Sequence, residues 1–197
     1  MQRLRVAFVP GVTPDKWARV WRDRNPRTPI DLIPIEEAEQ RAVLDDDRAD
    51  LSLARLPVDL DRPAPLHCVR LYDEQPVVVA GAEHFVAAAE PDAPIAAEDL
   101  ADEQLVLPHP GGWTPAAEQL SWPEMTVKDA IEVVASGTGI VIVPMSLARL
   151  HHRKDVVHRP VDLPATTIAL LWLRSADSDV HQDFVGVTRG RRAGSSR

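Results

Sequence analysis

Scarce cysteine is the first constraint that the sequence places on the class of this protein. Among 197 residues there is one cysteine, Cys68, so no intramolecular disulfide framework is possible. The sequence also lacks an uninterrupted apolar run long enough to span a bilayer. Its start, MQRLRVAFVPG, passes at once from polar residues into a strand pattern, which argues against a signal peptide. These features favour a cytoplasmic protein with no membrane association.

The chain has fewer basic than acidic residues. The chain carries 22 basic against 30 acidic residues, a net charge of -8, and only Lys16, Lys128 and Lys154 are lysines. An acidic body disfavours passive binding to nucleic acid or to anionic membranes. We therefore expect no direct DNA binding, and the arginines of residues 188–197 are interpreted as part of a flexible, solubilising basic tail, with contact to nucleic acid or an acidic partner as the alternative.

Catalytic and metal motifs are also missing. The sequence contains no GxSxG, P-loop or HExxH pattern. Its GTG at 137–139 follows a predicted helix and opens a strand, the reverse of a dinucleotide-binding fingerprint. One set of residues has metal-ligand types but no standard ligand spacing: His151, His152, Asp155 and His158. We predict no catalytic residue, no metal and no cofactor.

The first 56 residues alternate strand and helix patterns, which predicts a parallel sheet with helices on its faces. Thr13 is the expected cap of the first helix, with Pro14 at its first position. The order is a strand at 4–9, a helix from 14, a strand at 30–35, an acidic helix at 36–47 and a strand within DLSLARL.

The segment TVKDAIEVVASGTGIVIVP joins an amphipathic helix to an apolar strand. Thr126 is its expected N-cap, and Gly137 and Gly139 lie where the helix must end and the chain reverse. The strand, Ile140–Val143, is apolar on both faces, which is typical of a parallel strand covered on both sides. One apolar stripe runs along the helix: Val127, Ala130, Ile131, Val134 and Ala135.

Two lobes are predicted from the order of the remaining elements. Two apolar strands meet head to tail around 73–76, and EDLADEQLVLP predicts a short helix that leads into a strand. Thr167–Leu173 predicts a returning strand, which is followed by a last helix from Ser178. The expected division is lobe I at 1–76 and 167–187, lobe II at 77–166, and the tail at 188–197.

Four stretches resemble the effector-binding domain of LysR-type transcriptional regulators: Val6–Thr13, DLSLARLP, EDLADEQLVLP and ASGTGIVIVP. The resemblance covers about residues 4–186. It implies an α/β protein with two Rossmann-like lobes joined by two crossing strands, the type 2 periplasmic binding protein fold, with a small molecule held between the lobes. It also implies a homodimer.

Members of this family carry an N-terminal winged helix-turn-helix, whereas this chain begins at the first strand of the effector domain. We expect a stand-alone relative that regulates transcription through a regulator partner, or by competing for the ligand or the dimer interface.

Candidate binding residues follow from the rule that ligands bind beyond the carboxyl ends of strands, where helix N-termini point inward. Arg55 is expected either to bind an anion or to form a salt bridge, Trp113 either to stack on a ligand or to anchor its loop, and both threonines either to cap a helix alone or also to face a ligand. The predicted set is Gly11, Val12, Thr13, Arg55, Leu56, Pro57, His109, Trp113, Thr126, Val127 and Lys128.

The functional hypothesis is a module that senses a small anionic metabolite as its effector and responds by lobe closure. An enzyme acting on a small carboxylate on the same fold is the alternative, and an interaction protein whose cleft has lost its ligand is a third reading.

Overall fold

The computed structural model describes residues 3–190, which fall into two compact units. The first unit holds the chain up to Asp73 and from Thr167 onward, and the second holds Glu74–Thr166. The chain therefore leaves the first unit once and returns to it once. Most of the predicted basic tail, residues 191–197, lies outside the described residues.

The first unit is built on a five-stranded sheet of order β2-β1-β3-β8-β4. Its strands are β1 Leu4–Phe8, β2 Ile30–Pro34, β3 Leu51–Arg55, β4 Leu66–Glu74 and β8 Thr166–Leu173. β1 runs parallel to β2 and to β3, which confirms the predicted β-α-β-α-β start. β8, the returning strand, pairs antiparallel with β3.

Three helices flank this sheet: α1 Asp15–Arg24, α2 Ala42–Asp45 and α5 Asp179–Thr188. α1 and α5 meet through Trp21 and Phe184, whose rings lie 5.7 Å apart in an edge-on arrangement. Both side chains are fully buried. Burial of two aromatic side chains anchors the helices to each other and to the sheet.

The predicted cap of α1 is wrong by one residue. The cap position is occupied by Pro14, whose carbonyl accepts the Ala18 N–H at 2.9 Å, and Thr13 is exposed outside the helix. Proline has no side-chain acceptor, so no side-chain bond caps this end. Asp15 in the first turn instead places a carboxylate beside the positive end of the helix.

The predicted acidic helix at 36–47 is also wrong in extent. The segment forms a 3-10 turn at Glu37–Glu39 and the one-turn helix α2, and Asp47 adopts a φ of 53°. α2 buries only Val43 and Leu44. So few apolar residues cannot hold a long helix against the repulsion of neighbouring carboxylates.

The second unit has a three-stranded sheet of order β6-β5-β7. Its strands are β5 Pro76–Gly81, β6 Val141–Pro144 and β7 Val156–Pro160. Both outer strands run antiparallel to β5, so the parallel direction predicted for the Ile140–Val143 strand is wrong. The only parallel contact of that run among the described residues is a single bridge from Ile140 to Leu105.

Two-sided burial of β6 comes from apolar layers on both faces of the small sheet. Val141 and Val143 belong to a cluster that includes α3 Val127–Ala135 and α4 Met145–Leu150, whereas Ile142 faces a second cluster around Leu100. An apolar run therefore indicates that both faces of a strand are covered, but it does not indicate the direction of the strand. For this reason the sequence could not distinguish parallel from antiparallel pairing.

The turn after α3 agrees with the sequence prediction. Gly137 and Gly139 have φ angles of 86° and 68°, in the left-handed region that glycine takes without strain. The Gly137 N–H bonds to the Val134 carbonyl at 3.0 Å and closes the helix end. Gly139 approaches the Gln104 backbone so closely that a side chain there would overlap its carbonyl oxygen.

EDLADEQLVLP forms less regular structure than predicted. Its helix is a 3-10 turn, Ala97–Leu100, and its strand is reduced to the single bridge at Leu105. Residues 107–126 then contain neither helix nor strand. A further 3-10 turn lies at Phe85–Ala88, and another at Arg174–Ala176. No helix in the described part of the chain has both the length and the apolar character to cross a membrane.

Candidate functional site

The carboxyl edge of the first-unit sheet brings two of the predicted loops together. Gly11–Thr13 follows β1, and Arg55 ends β3 with Leu56 and Pro57 after it. Because β1 and β3 are parallel neighbours, both loops leave the sheet at the same edge. The first loop is a tight turn in which Gly11 has a φ of 87° and the N–H of the buried Val12 bonds to the Val9 carbonyl at 3.2 Å.

Arg55 connects these loops. Its side chain is 2% exposed, and its guanidinium donates to Glu37 Oε2 at 2.5 Å and to the Pro10 carbonyl at 3.0 Å. The salt bridge that the sequence offered as the alternative to ligand binding is therefore present. A charge-assisted bond from a buried cation to a loop carbonyl holds that loop in one position.

Gln40 fixes the backbone of the same residue. Its side-chain oxygen accepts the Arg55 N–H at 2.9 Å, and its side-chain nitrogen donates to the Arg55 carbonyl at 3.0 Å. Ser52 Oγ donates to the Gln40 carbonyl at 3.0 Å. Sequence reasoning missed Gln40, because a lone glutamine in an acidic stretch carries no pattern that distinguishes it from a solvated side chain.

Beyond Arg55, Leu56 donates its N–H to the Thr167 carbonyl at 2.9 Å, and the Leu56–Pro57 peptide is cis. Pro57 is exposed. The end of β3 is thus held by bonds on both sides, from Gln40 and from β8.

Acidic residues surround this edge. A cavity of about 420 Å³ is lined by Phe8, Pro10, Pro34, Ile35, Glu36 and Glu39. Glu39 bonds to the Glu36 N–H and pairs with Arg48 at 3.0 Å, and these contacts hold its pKa below the usual range. With Glu37 paired to Arg55, two of the three glutamates are matched by arginines, so the edge is mixed in charge and not strongly cationic.

In the second unit, Thr126 caps α3 as predicted. Its Oγ1 accepts the Asp129 N–H at 3.2 Å, and the Asp129 carboxylate accepts the Thr126 N–H at 3.4 Å, a reciprocal capping box. Thr126 and Lys128 are exposed, and Val127 is half-buried. The arrangement leaves the positive end of α3 and an ammonium group facing solvent.

His109 is a buried imidazole in a loop. It is 8% exposed, and its Nδ1 accepts the Gly111 N–H at 3.2 Å. Burial lowers its pKa, which keeps the ring neutral near neutral pH with a proton on Nε2. A side chain at position 111 would come within 3.0 Å of the His109 ring. His109 is therefore a neutral donor held in place by its own loop.

Trp113 is half-buried and packs against the cluster that contains Val78, Val86 and Leu105. This contact matches the reading of Trp113 as a loop anchor. The residues weighed as metal ligands are engaged differently, since Asp155 pairs with Arg153 at 2.7 Å. Within residues 3–190, no group of three or more histidine, cysteine, aspartate or glutamate side chains could hold a metal ion.

The site residues thus form one connected set in the first unit and two separate features in the second. The β1 and β3 loops are joined through Arg55 and Pro10, whereas the His109–Trp113 loop and the start of α3 are each stabilised by their own local bonds.

Comparison with known proteins matches this architecture to one family. The family model described as the LysR substrate binding domain matches residues 1–193. Two similar structures are effector-binding domains of BenM. A variant has 22% identity and a TM-score of 0.77 over 97% of this chain and 94% of that one. The domain with its effector benzoate has 21% identity and a TM-score of 0.74 over 96% and 91%.

A cysteine mutant of Corynebacterium glutamicum OxyR is similar at 18% identity, with a TM-score of 0.70 over 96% of this chain and 63% of that one. No curated protein sequence was found to match the chain. At these identities the structural likeness concerns the fold, which is the type 2 periplasmic-binding-protein-like fold of LysR effector-binding domains. The chain belongs to the LysR substrate-binding domain family, the effector-binding domains through which transcriptional regulators sense small molecules.

Proposed function

We propose that the chain senses a small anionic metabolite, and that the residues at the first-unit edge recognise it. The observation that carries this proposal is the arrangement of the Pro10–Thr13 loop. Arg55 holds the loop through the Pro10 carbonyl, and the loop leads directly into the N-terminus of α1. The first backbone N–H groups of a helix have no partner within the helix and attract an anion.

In this proposal Arg55 acts as a positioning residue. Its charge is paired with Glu37, so the ligand would meet the backbone of Gly11 and Val12 and the hydroxyl of Thr13, which is exposed and does not cap α1. Leu56 and Pro57 would border the ligand from the end of β3. An anion is favoured here by the helix end rather than by a free cation.

The second unit holds candidate contacts for an anion of its own. Thr126 presents the positive end of α3, and Lys128 adds an exposed ammonium in the first turn of that helix. Val127 would offer an apolar contact, neutral His109 a hydrogen-bond donor from Nε2, and Trp113 an aromatic face, although its packing favours an anchoring role.

The chemical class of the ligand is supported by one neighbour. A BenM effector-binding domain has been described with its effector benzoate, a small aromatic carboxylate. Only the carboxylate enters the proposal for this chain. The two domains are 21% identical, and this identity is too low to infer that the same side chains line a pocket in both.

Thermal-shift measurements with paired compounds test the proposal. Each carboxylate is compared with its neutral amide, for example benzoate with benzamide. A ligand that binds only the folded protein at 100 times its Kd adds about 2.7 kcal/mol to the free energy of unfolding. We expect some carboxylates to raise the Tm and their amides not to do so. Equal shifts from acid and amide, or no shift from any carboxylate, would contradict an anion site.

A pair of variants then localises the site. Thr13→Val removes a hydroxyl that has no capping role in α1, so the Tm without ligand should be unchanged while the shift caused by the carboxylate falls. Thr13→Ser keeps the hydroxyl and should keep the shift. If both variants respond like the native chain, Thr13 is not part of the site.

Two further parts of the proposal need other measurements. A homodimer, or a complex with a regulator partner, is checked by sedimentation of the chain alone and with the partner. A ligand-driven shift between open and closed conformers is checked by small-angle scattering with and without the stabilising carboxylate.

A further inference from the structure

The two links of the chain between its units differ in how they are held. The outgoing link joins Asp73 to Glu74, and the return link joins Thr166 to Thr167. Residues 164–165, just before the return link, are exposed and belong to no helix or strand, so regular secondary structure does not restrain the chain there. The outgoing link has no such free segment beside it, because both of its residues have side chains that are hydrogen-bonded.

A buried hydroxyl holds the first-unit side of the outgoing link. Thr167, the second residue of β8, is 5% exposed, and its Oγ1 donates to Asp73 Oδ1 at 2.6 Å and accepts from Arg70 Nη2 at 2.6 Å. Arg70 and Asp73 also pair directly, but at 3.5 Å and with side chains 69% and 63% exposed, where an ion pair contributes little. The Thr167 hydroxyl therefore joins the end of β4 to the start of β8.

This contact closes one end of a strand pair. β4 and β8 are neighbours in the five-stranded sheet. At the other end of the pair, the Arg174 N–H bonds to the Pro65 carbonyl at 3.0 Å, and its guanidinium donates to the Leu66 carbonyl at 3.1 Å. Strand ends open more readily than strand centres, so side-chain bonds there limit fraying. The Thr167 hydroxyl does so at the end from which both links depart.

The second unit holds its own side of the outgoing link. Glu74 is 7% exposed, and its carboxylate accepts a hydrogen bond from the Ser146 hydroxyl in α4. The Gln75 carbonyl accepts the Met145 N–H, also in α4, at 2.9 Å. Glu74 and Gln75 are thus fixed to the second unit, as Asp73 is fixed to the first.

We propose that the Thr167 hydroxyl, through its bonds to Arg70 and Asp73, restrains bending of the chain where it crosses between the units. While Asp73 is held against β8, the outgoing link has no free residue on either side. When these bonds open, the end of β4 frays from β8 and the units gain freedom to reorient. This restraint acts in the chain without any ligand, so it does not depend on the proposed effector.

Two substitutions at one position isolate the hydroxyl. Thr167→Val removes it and keeps a β-branched side chain, which suits a strand. The Thr167 carbonyl, which accepts the Leu56 N–H at 2.9 Å, is retained, so the end of β3 at the candidate site stays bonded. Arg70 and Asp73 are exposed enough to bond to water instead, so we expect the variant to fold. Thr167→Ser keeps the hydroxyl and is the matched control.

Amide hydrogen exchange of the chain without ligand, followed by NMR, measures opening at the boundary. In Thr167→Val we expect exchange at 71–74 and 166–168 to be about two to ten times faster, the change in open population expected for one lost hydrogen bond. Exchange in β1, which lies in the same sheet, should not change. Thr167→Ser should exchange at rates close to those of the native chain.

Spin-label distances measure the restraint between the units. Labels are attached at Arg22→Cys in α1 and Glu132→Cys in α3, both exposed positions, in a Cys68→Ser background. Dilution with unlabelled chain removes distances between copies. Without ligand, the distance distribution should be broader for Thr167→Val than for Thr167→Ser or the native side chain. Asp73→Ala should broaden it similarly, and the double variant with Thr167→Val should add nothing, because both remove the same bond.

Three outcomes would overturn the proposal. These are equal exchange at the boundary in the valine and serine variants, faster exchange throughout the first unit instead of at its end, and faster local exchange with an unchanged distance distribution. None of these measurements uses a carboxylate, so the restraint and the effector site can fail separately.

Discussion

Alanine at the two glycines after α3 should have very different effects on stability. Both glycines have positive φ angles, 86° at Gly137 and 68° at Gly139, so an alanine at either position is strained by a left-handed backbone conformation. That strain costs about 1–2 kcal/mol per residue. The surroundings differ, however. A Cβ at Gly137 meets nothing within 4 Å, whereas a Cβ at Gly139 overlaps the Gln104 carbonyl oxygen and lies 3.2 Å from its carbonyl carbon.

The overlap at Gly139 has a definite additional cost. The Gln104 carbonyl accepts the Ile140 N–H at 2.8 Å, and Val106 donates to the Ile140 carbonyl at 2.9 Å. Relief of the overlap must displace this backbone and weaken bonds at a buried strand, a loss of about 1–3 kcal/mol for each group left unpaired. We expect Gly137→Ala to cost about 1–2 kcal/mol and Gly139→Ala about 2–5 kcal/mol.

Urea denaturation followed by tryptophan fluorescence measures both values, with the slope of the transition checked for each variant. Gly186→Ala in α5 is the control of opposite sign. A Cβ there has no atom within 4 Å, and replacing a helical glycine by alanine should stabilise the first unit by about 0.5–1 kcal/mol. Equal losses for the two substitutions after α3 would refute the close approach of Gly139 to Gln104.

Three further predictions concern side chains that hold the candidate site. Thr126→Ala removes the capping box of α3 and should cost about 1 kcal/mol in thermal unfolding, whereas Thr126→Ser should recover most of it. Gln40→Leu removes both bonds from the Gln40 amide to the Arg55 backbone and should cost about 2–3 kcal/mol in urea denaturation; a loss below about 0.5 kcal/mol would contradict the arrangement. For His109, burial lowers the pKa, so the unfolded chain binds a proton more readily and stability falls as the pH drops below about 6.5. The Tm of His109→Asn should therefore fall less than that of the native chain on acidification, and an identical fall would show that His109 does not contribute.

Local signals in the sequence predicted much of the fold. The stripe from Val127 to Val134, the cap at Thr126 and the paired glycines depend only on neighbouring residues, and each appears in the structure. The alternation of the first 56 residues likewise predicted three parallel strands, because short connections leave few other topologies.

Features that depend on distant partners could not be predicted. β6 is antiparallel because its partner is β5, more than fifty residues away, and β7 was missed because VVHRP is only partly buried and shows no alternation. The bonds from Gln40 to the Arg55 backbone arise from tertiary placement, which periodicity does not encode. The same holds for the buried Trp122 indole N–H, which has no acceptor among residues 3–190.

The excursion of the chain between Asp73 and Thr167 has a consequence for synthesis on the ribosome. The second unit is one continuous segment and can complete its core as soon as residue 166 has emerged. The first unit cannot, because β3 is a central strand whose neighbour on one side is β8. The N-terminal part of the first unit must therefore keep one edge of β3 unpaired while the second unit folds. The second unit thus completes its fold before the first, although the first begins to be translated earlier.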